Sequence, residues 1–265
     1  MNNTLKLKYS DVFLPPDLRM LLIGEFILAC FFFRKYKISL FYPGSPRSGK
    51  SFFMKRLLSN ISQMRPNANY ISVLYCNPNL KSLSAKDKKF TDELKHACGE
   101  IPIEFLSDLP TTEKMMSLKT GEDARSFIII DDFQEASLKS KPIQELFGRL
   151  GTHFYLDCAL LLQFAFSRAQ HYAHIVQAAS CIVMFKSPSD RTMMRNVNTK
   201  MFPKAKQYLQ KAMRRASEKL GTYPYVVINC DPGNILSELF PLSCHIFPDS
   251  KGEINATYWA YEPEN

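Results

Sequence analysis

Apolar and polar positions run with two periods along this chain, and the switches between them mark its elements. Residues 36–42 alternate and are rich in β-formers, which predicts a strand, and Phe53, Leu57, Leu58 and Ile61 then recur at helical spacing within 51–61. Residues 70–75 read as a second strand, and 101–106 as a shorter one ahead of an exposed Lys-rich segment. In 126–132 an apolar run ends in Asp131 and Asp132, as a central parallel strand does when helices cover both faces and its carboxyl end opens on a ligand crevice. Residues 142–154 pattern as a helix, and 157–163 as another buried strand that ends in a lone polar residue, Gln163. A further strand at 180–186 is followed by a turn at 187–190 and a helix to Phe202. Leu209, Ala212, Met213, Ala216 and Leu220 predict an amphipathic helix, and 223–229 is the last predicted strand, ending at Asp231-Pro232-Gly233. Strands that alternate with helices in this way predict an α/β fold built on a mostly parallel sheet.

The first strand and helix flank Gly44-Ser45-Pro46-Arg47-Ser48-Gly49-Lys50-Ser51, which matches the phosphate-binding pattern G-x-x-x-x-G-K-[ST] at every fixed position. A chain of this length meets that pattern by chance on the order of 1% of the time. The spacing serves a backbone that wraps a phosphate with its N–H groups and then enters a helix whose N-terminus favours anions. Residues 44–52, through Phe52, are therefore the candidate nucleotide-binding segment. Lys50 would reach the β- and γ-phosphates, and the Ser51 hydroxyl would be a Mg²⁺ ligand. The alternative is a Gly/Ser/Pro surface turn, against which the strand and helix on either side weigh.

The acids that end the 126–132 run carry the matching chemistry. Asp131 would hold Mg²⁺ through water, and Asp132 would orient or polarise an attacking water; the plainer alternative is a strand that ends in an acidic turn. Gln163, at the end of the next predicted strand, can lie within reach of a γ-phosphate, or it can make an ordinary strand-end hydrogen bond.

Composition narrows the class. With 265 residues, 46% of them hydrophobic, and no low-complexity tract, the chain can bury a full core in one large domain. The expected organisation is an N-terminal helical extension at 1–35, a nucleotide-binding domain at 36–250 and a C-terminal tail at 251–265. The seven cysteines form no C-x-x-C pair and read as reduced, buried thiols of an intracellular protein, with neither a disulfide framework nor a metal cluster. The apolar stretch 20–33 contains Gly24 and Glu25 and falls short of the roughly 20 residues that span a bilayer. A helix buried on the sheet is preferred there over a membrane-surface anchor. The net charge of +9 is concentrated in 200–220, where Lys200, Lys204, Lys206, Lys211, Arg214, Arg215 and Lys219 face one acid, Glu218. Such a face, with Lys204, Lys211, Arg214 and Arg215 as candidates, could neutralise DNA phosphates or could be merely solvated.

The order of these segments resembles one family, the genome-packaging ATPases of double-stranded DNA viruses and virus-like transposons. The type is that of poxviruses and Maverick/Polinton or adintoviruses, in the FtsK/HerA branch of P-loop ATPases. The resemblance spans residues 37–248. It is carried by the phosphate loop, the IIIDD strand, the strand that ends in Gln163, Met184-Phe185-Lys186-Ser187-Pro188-Ser189-Asp190 with a helix ending in Met201-Phe202-Pro203, and His245-Ile246-Phe247-Pro248. It implies a three-layer ASCE, RecA-like fold with an extra strand between the two Walker strands. It also implies Mg²⁺-dependent ATP hydrolysis coupled to movement of double-stranded DNA, by a ring of identical subunits at a capsid or portal vertex. The expected setting is the nucleus or viral assembly site of an infected cell, with no membrane partner. Asp132 stands where many relatives carry Glu, which leaves Glu135 as an alternative base; Phe164 and Ala178-Ala179 stand where Asn is common. A neighbouring subunit's arginine finger would come from Arg149, Arg168, Arg191 or Arg195. The competing classes are another P-loop enzyme, a helicase or small-molecule kinase, and a non-catalytic DNA-binding assembly factor with a vestigial nucleotide site.

Overall fold

The computed structural model describes residues 39–43, 48–64, 68–82, 85–118, 124–163, 167–186, 191–230, 241–251, 256–259 and 261. The stretch 20–33, the loop positions Gly44, Ser45, Pro46 and Arg47, and the turn at 187–190 lie outside them. Strand β1 (Ser39–Pro43) precedes helix α1 (Lys50–Met64), and β2 (Asn69–Cys76) is followed by a 3₁₀ turn at Pro78–Ser82. Then come α2 (Ala85–Cys98), β3 (Ile103–Leu106), α3 (Thr112–Ser117) and β4 (Ala124–Asp131). Helices α4 (Gln134–Lys139) and α5 (Lys141–Glu145) lead to β5 (Leu156–Leu162), α6 (Tyr172–Ala178) and β6 (Cys181–Phe185). The chain closes with α7 (Arg191–Met201), α8 (Tyr208–Leu220), β7 (Tyr225–Asn229), β8 (Leu242–Cys244) and β9 (Thr257–Trp259).

All of these strands join one sheet, in the order β3-β2-β4-β5-β1-β6-β7-β8-β9. The six from β3 to β6 are parallel. Central strands read as continuous apolar runs because helices cover both faces, and Phe127, Ile128, Ile129 and Ile130 of β4 are fully buried, as are Cys158, Ala159, Leu160 and Leu162 of β5. Strand β5 stands between β1 and β4, which puts the extra strand where the resemblance implied it. At the amino end of these strands, the buried Asp157 carboxylate accepts the Tyr70 hydroxyl at 2.6 Å and an Arg125 N–H at 3.3 Å. An ionised group is tolerated in such a core only when it is paired and hydrogen-bonded.

Three expectations need correction. The strand predicted at 223–229 was placed last in the chain, but β7 runs antiparallel to β6 and is followed by β8 and β9. Residue periodicity carries no strand direction, and three-residue strands are too short to show a period. Residues 257–259, assigned to the C-terminal tail, form the sheet's antiparallel edge strand beside β8. The helix predicted over 142–154 is broken: after α5 the backbone widens through Leu146–Leu150, with Gly148 at φ −97° and ψ −113°, before a last turn at Gly151–His153. Gly148 lacks the Cβ that restricts backbone choice, so it absorbs the distortion without a side-chain clash.

The segments that carry the family resemblance do structural work. Phe202 is buried and packs edge-on against Tyr208, with ring centroids 5.1 Å apart. The buried Asn198 side chain accepts the Leu209 N–H at 2.8 Å and donates to the Ala205 carbonyl at 2.9 Å, which fixes the α7–α8 turn. Phe247 packs against Phe53 of α1 at 4.9 Å, and the Arg56 guanidinium lies over the Phe247 ring at 5.0 Å. This ties the 245–248 segment to α1.

Candidate active site

Ligands of parallel α/β sheets bind outside the carboxyl ends of the strands, and four adjacent strands deliver polar groups to that edge here. From β1 the chain passes to Ser48 and Gly49 and enters α1 at Lys50. The Gly49 carbonyl accepts the Phe53 N–H at 2.8 Å, which begins the helical ladder. Gly49 holds φ +102°, and a Cβ there would lie 2.7 Å from the Tyr223 Cβ. The Ser48 hydroxyl is buried, with no hydrogen-bond partner among the described residues. Buried hydroxyls are normally satisfied, and a phosphate oxygen is a partner of the right kind. A Gly49→Ala variant is expected to lose roughly 1–3 kcal/mol of stability from left-handed strain alone, with weaker nucleotide binding. Urea denaturation checks the first effect, and titration with ATP checks the second.

Asp131 ends β4 as a buried side chain. Its Oδ2 accepts the Tyr75 hydroxyl at 2.5 Å and an Asn77 amide N–H at 3.5 Å, both from the end of β2. Burial pushes the Asp131 carboxyl above its ordinary value and the nearby Asp132 adds to this, while the Tyr75 hydrogen bond and the Lys50 charge oppose it. Burial likewise raises the Tyr75 phenol, and the Asp131 charge raises it further. Among the described residues the Asp131 Oδ1 takes no hydrogen bond, so one carboxylate oxygen remains for a cation. A hard cation such as Mg²⁺ suits this donor set, in which the Ser51 hydroxyl would be the second protein oxygen. An acid whose pKa rises on folding contributes stability that is fully present below its unfolded value and is lost as pH rises through its folded value. Nucleotide-free protein is therefore expected to lose stability as pH climbs through the raised Asp131 value. Asp131→Asn should abolish that part of the pH dependence, and denaturation midpoints across the acid-to-neutral range check it; parallel curves for the two proteins would contradict the assignment.

Asp132 leaves the strand in a left-handed conformation, φ +62°, and Gln134 follows with φ +45°. Non-glycine residues adopt this region at a cost and cluster at functional sites. Three carboxamides from three places in the chain converge on the Asp132 carboxylate. Gln163 donates to Oδ1 at 2.8 Å, Gln134 donates to the same oxygen at 2.7 Å, and Asn79 donates to Oδ2 at 3.1 Å. Gln163, just past the end of β5, thus meets Asp132, just past the end of the neighbouring strand β4. Tyr75, Asn77, Asn79 and Gln134 were not anticipated; the one available signal was the polar pair Asn77 and Asn79 just past β2.

Other candidates fall elsewhere. Glu135 lies in the first turn of α4, exposed and 3.1 Å from Lys139 in an i,i+4 ion pair. Arg149, Arg168 and Arg195 are exposed, and the Arg191 side chain lies outside the described residues. In α8, Leu209, Ala212, Met213 and Ala216 are buried; Lys204 ahead of it and Lys211 and Arg214 within it are exposed, and Arg215 is half-buried. Cys76, Cys98, Cys158, Cys181 and Cys244 are buried free thiols, and Cys230 is half-buried. Among the described residues, no helix is long and apolar enough to cross a membrane.

A helix that starts just after Gly49 beyond β1, an acid pair at the end of β4 and an intervening parallel strand define an α/β P-loop NTPase fold. Among solved structures the chain is similar to the genome packaging NTPase B204 of Sulfolobus turreted icosahedral virus 2 in complex with ATP-gammaS. Identity is 15%, 75% of this chain and 94% of that chain are covered, and the TM-score is 0.44. It is also similar to the N-terminal domain of zonular occludens toxin from Neisseria meningitidis, with 16% identity, 58% and 79% coverage and a TM-score of 0.35. A third similar structure is Thermomonospora curvata EccC (ATPases 2 and 3), with 12% identity, 55% and 29% coverage and a TM-score of 0.35. No family model and no curated protein matches the chain.

Proposed function

We propose that this chain is a Mg²⁺-dependent ATPase that moves double-stranded DNA as a ring of identical subunits, in the packaging of a viral genome into a preformed capsid. The observation that carries the ATPase reading is the Gln163–Asp132 hydrogen bond of 2.8 Å at the carboxyl edge. It joins a strand-end amide to the acid next to Asp131, one strand away from the phosphate-loop helix. Phosphoryl transfer depends on positioning and charge stabilisation rather than on covalent chemistry, and the residues divide that work.

Lys50, on the first turn of α1, supplies a positive charge to the β- and γ-phosphates, and the N–H groups of 48–51 face the same anion. Mg²⁺ held by Ser51 and Asp131 would neutralise charge that develops on the phosphates. Asp132 orients the attacking water and accepts its proton. Two of the amide bonds fill Oδ1 and one goes to Oδ2, which leaves the carboxylate one lone-pair site for that water. Gln163 is the donor placed to turn from Asp132 toward a γ-phosphate, so that the acid is released when triphosphate is present. Water activation thereby becomes coupled to the state of the nucleotide.

DNA is the polyanion that the exposed basic residues Lys204, Lys211 and Arg214 fit, with half-buried Arg215 beside them. The packaging role, rather than that of a generic translocase, follows from the resemblance of 184–203 and 245–248 to packaging ATPases. An arginine from a neighbouring subunit, from among Arg149, Arg168, Arg191 and Arg195, would complete the charge stabilisation. Displacement of a third strand from triplex-bearing linear DNA tests the motor reading. Displacement that requires ATP hydrolysis is the expected result; turnover without displacement would leave an ATPase that is not a translocase.

A further inference from the structure

The described residues contain two strongly exposed large aromatic side chains, Phe52 at 50% and Tyr223 at 40% exposure, and they touch each other, with ring centroids 5.4 Å apart. Phe52 directly follows Ser51 in the first turn of α1. Tyr223 comes from a distant part of the chain, two residues ahead of β7, and its Cβ lies against the Gly49 backbone. Because β7 runs antiparallel to β6, the start of β7 lies beside the carboxyl end of β6, on the same edge as the phosphate-binding residues. Tyr223 is held there by its neighbours. The Pro224 carbonyl accepts the Lys186 N–H at 3.0 Å, and Tyr225 pairs with Phe185 in the sheet register. An aromatic pair left half in water, next to a triphosphate site and fixed by the sheet, is an arrangement that burial alone does not explain.

We propose that Phe52 and Tyr223 form the ledge on which the base of the bound nucleoside triphosphate stacks. This rests on the phosphate-site reading above and extends it to the other end of the ligand. The phosphates held at 48–51 are covalently tied to a base, and the base must come to rest beside the helix that holds them. Half-exposed aromatic rings are the partner that its π-face takes, as base–aromatic stacking is favourable for every base. Gly49 belongs to the same device: the missing Cβ lets the Tyr223 ring close on the phosphate loop, so phosphates and base are bound side by side.

The test measures binding of MgATP and of inorganic tripolyphosphate to wild type, Phe52→Ala, Tyr223→Ala and Tyr223→Phe by calorimetry. Phe52→Ala and Tyr223→Ala should each weaken MgATP about tenfold and leave tripolyphosphate unchanged, while Tyr223→Phe keeps full affinity for both. Phe52→Trp should retain ATP binding, with a Trp fluorescence change that ATP produces and tripolyphosphate does not. Equal losses for both ligands would assign the pair to shaping the phosphate loop and overturn the ledge. Unchanged ATP affinity with a changed oligomeric state would make the pair a subunit contact and also overturn it. If wild type binds neither ligand, the phosphate-site reading itself fails, an outcome distinct from the other two.

Discussion

Replacing Lys50 with Ala is expected to lower ATP turnover by about 10²–10³-fold, the loss typical of removing one preorganised charge donor from a developing anion. Lys50 is half-buried at the first position of α1, and its charge acts on Asp131. In the nucleotide-free protein, loss of that charge raises the Asp131 carboxyl further. The variant should therefore turn over slowly for two reasons, a missing phosphate contact and an acid less ready to hold a cation. The fold should persist, because Lys50 is no part of the buried core. Phosphate release under saturating MgATP, with far-ultraviolet circular dichroism as the control for folding, checks both expectations.

Asp132→Asn is expected to cost about 10²–10⁴-fold in kcat, the range of positioned general acid–base catalysis, with nucleotide affinity retained. The change keeps the side-chain shape but leaves the amides of Asn79, Gln134 and Gln163 facing a group that can accept at only one of its two positions. Glu135→Gln is the matched control. Glu135 pairs with Lys139 on the exposed face of α4, and its loss should leave kcat within a few-fold of wild type. Single-turnover kinetics separate the chemical step from binding and release. An active Asp132→Asn with an inactive Glu135→Gln would move the base to Glu135.

Much of the parallel half of the sheet was legible because its signals are local. The phosphate-loop pattern, the helical spacing of Phe53, Leu57, Leu58 and Ile61, and the apolar run into Asp131 each lie within one element, and each element forms where the period changes. Residues that act across the sheet were not legible. Tyr75 reaches Asp131 because β2 pairs with β4 in a register that sets Cys76 beside Ile130, and no periodicity within β2 reports that pairing. Asn79 and Gln134 meet at Asp132 only because the backbone there turns left-handed, a state that Asp tolerates but does not announce. The antiparallel direction of β7 was missed for the same reason, since strand direction is set by which edge is open and not by residue type, and β8 and β9 are too short to show a period. Tyr223 read as one more strand residue. Its exposure and its contact with Gly49 exist only once β7 is folded back against β6.

The central claim, that the Asp131–Asp132 edge and the phosphate-loop helix form one hydrolytic site served by DNA, is tested most directly by steady-state phosphate release from purified protein, with Mg²⁺, ATP and linear double-stranded DNA. The account predicts turnover that needs Mg²⁺, rises when DNA is added and falls to background in Lys50→Ala. Turnover no greater than that of Lys50→Ala, with and without DNA, would contradict it and leave a DNA-binding assembly factor with a vestigial nucleotide site.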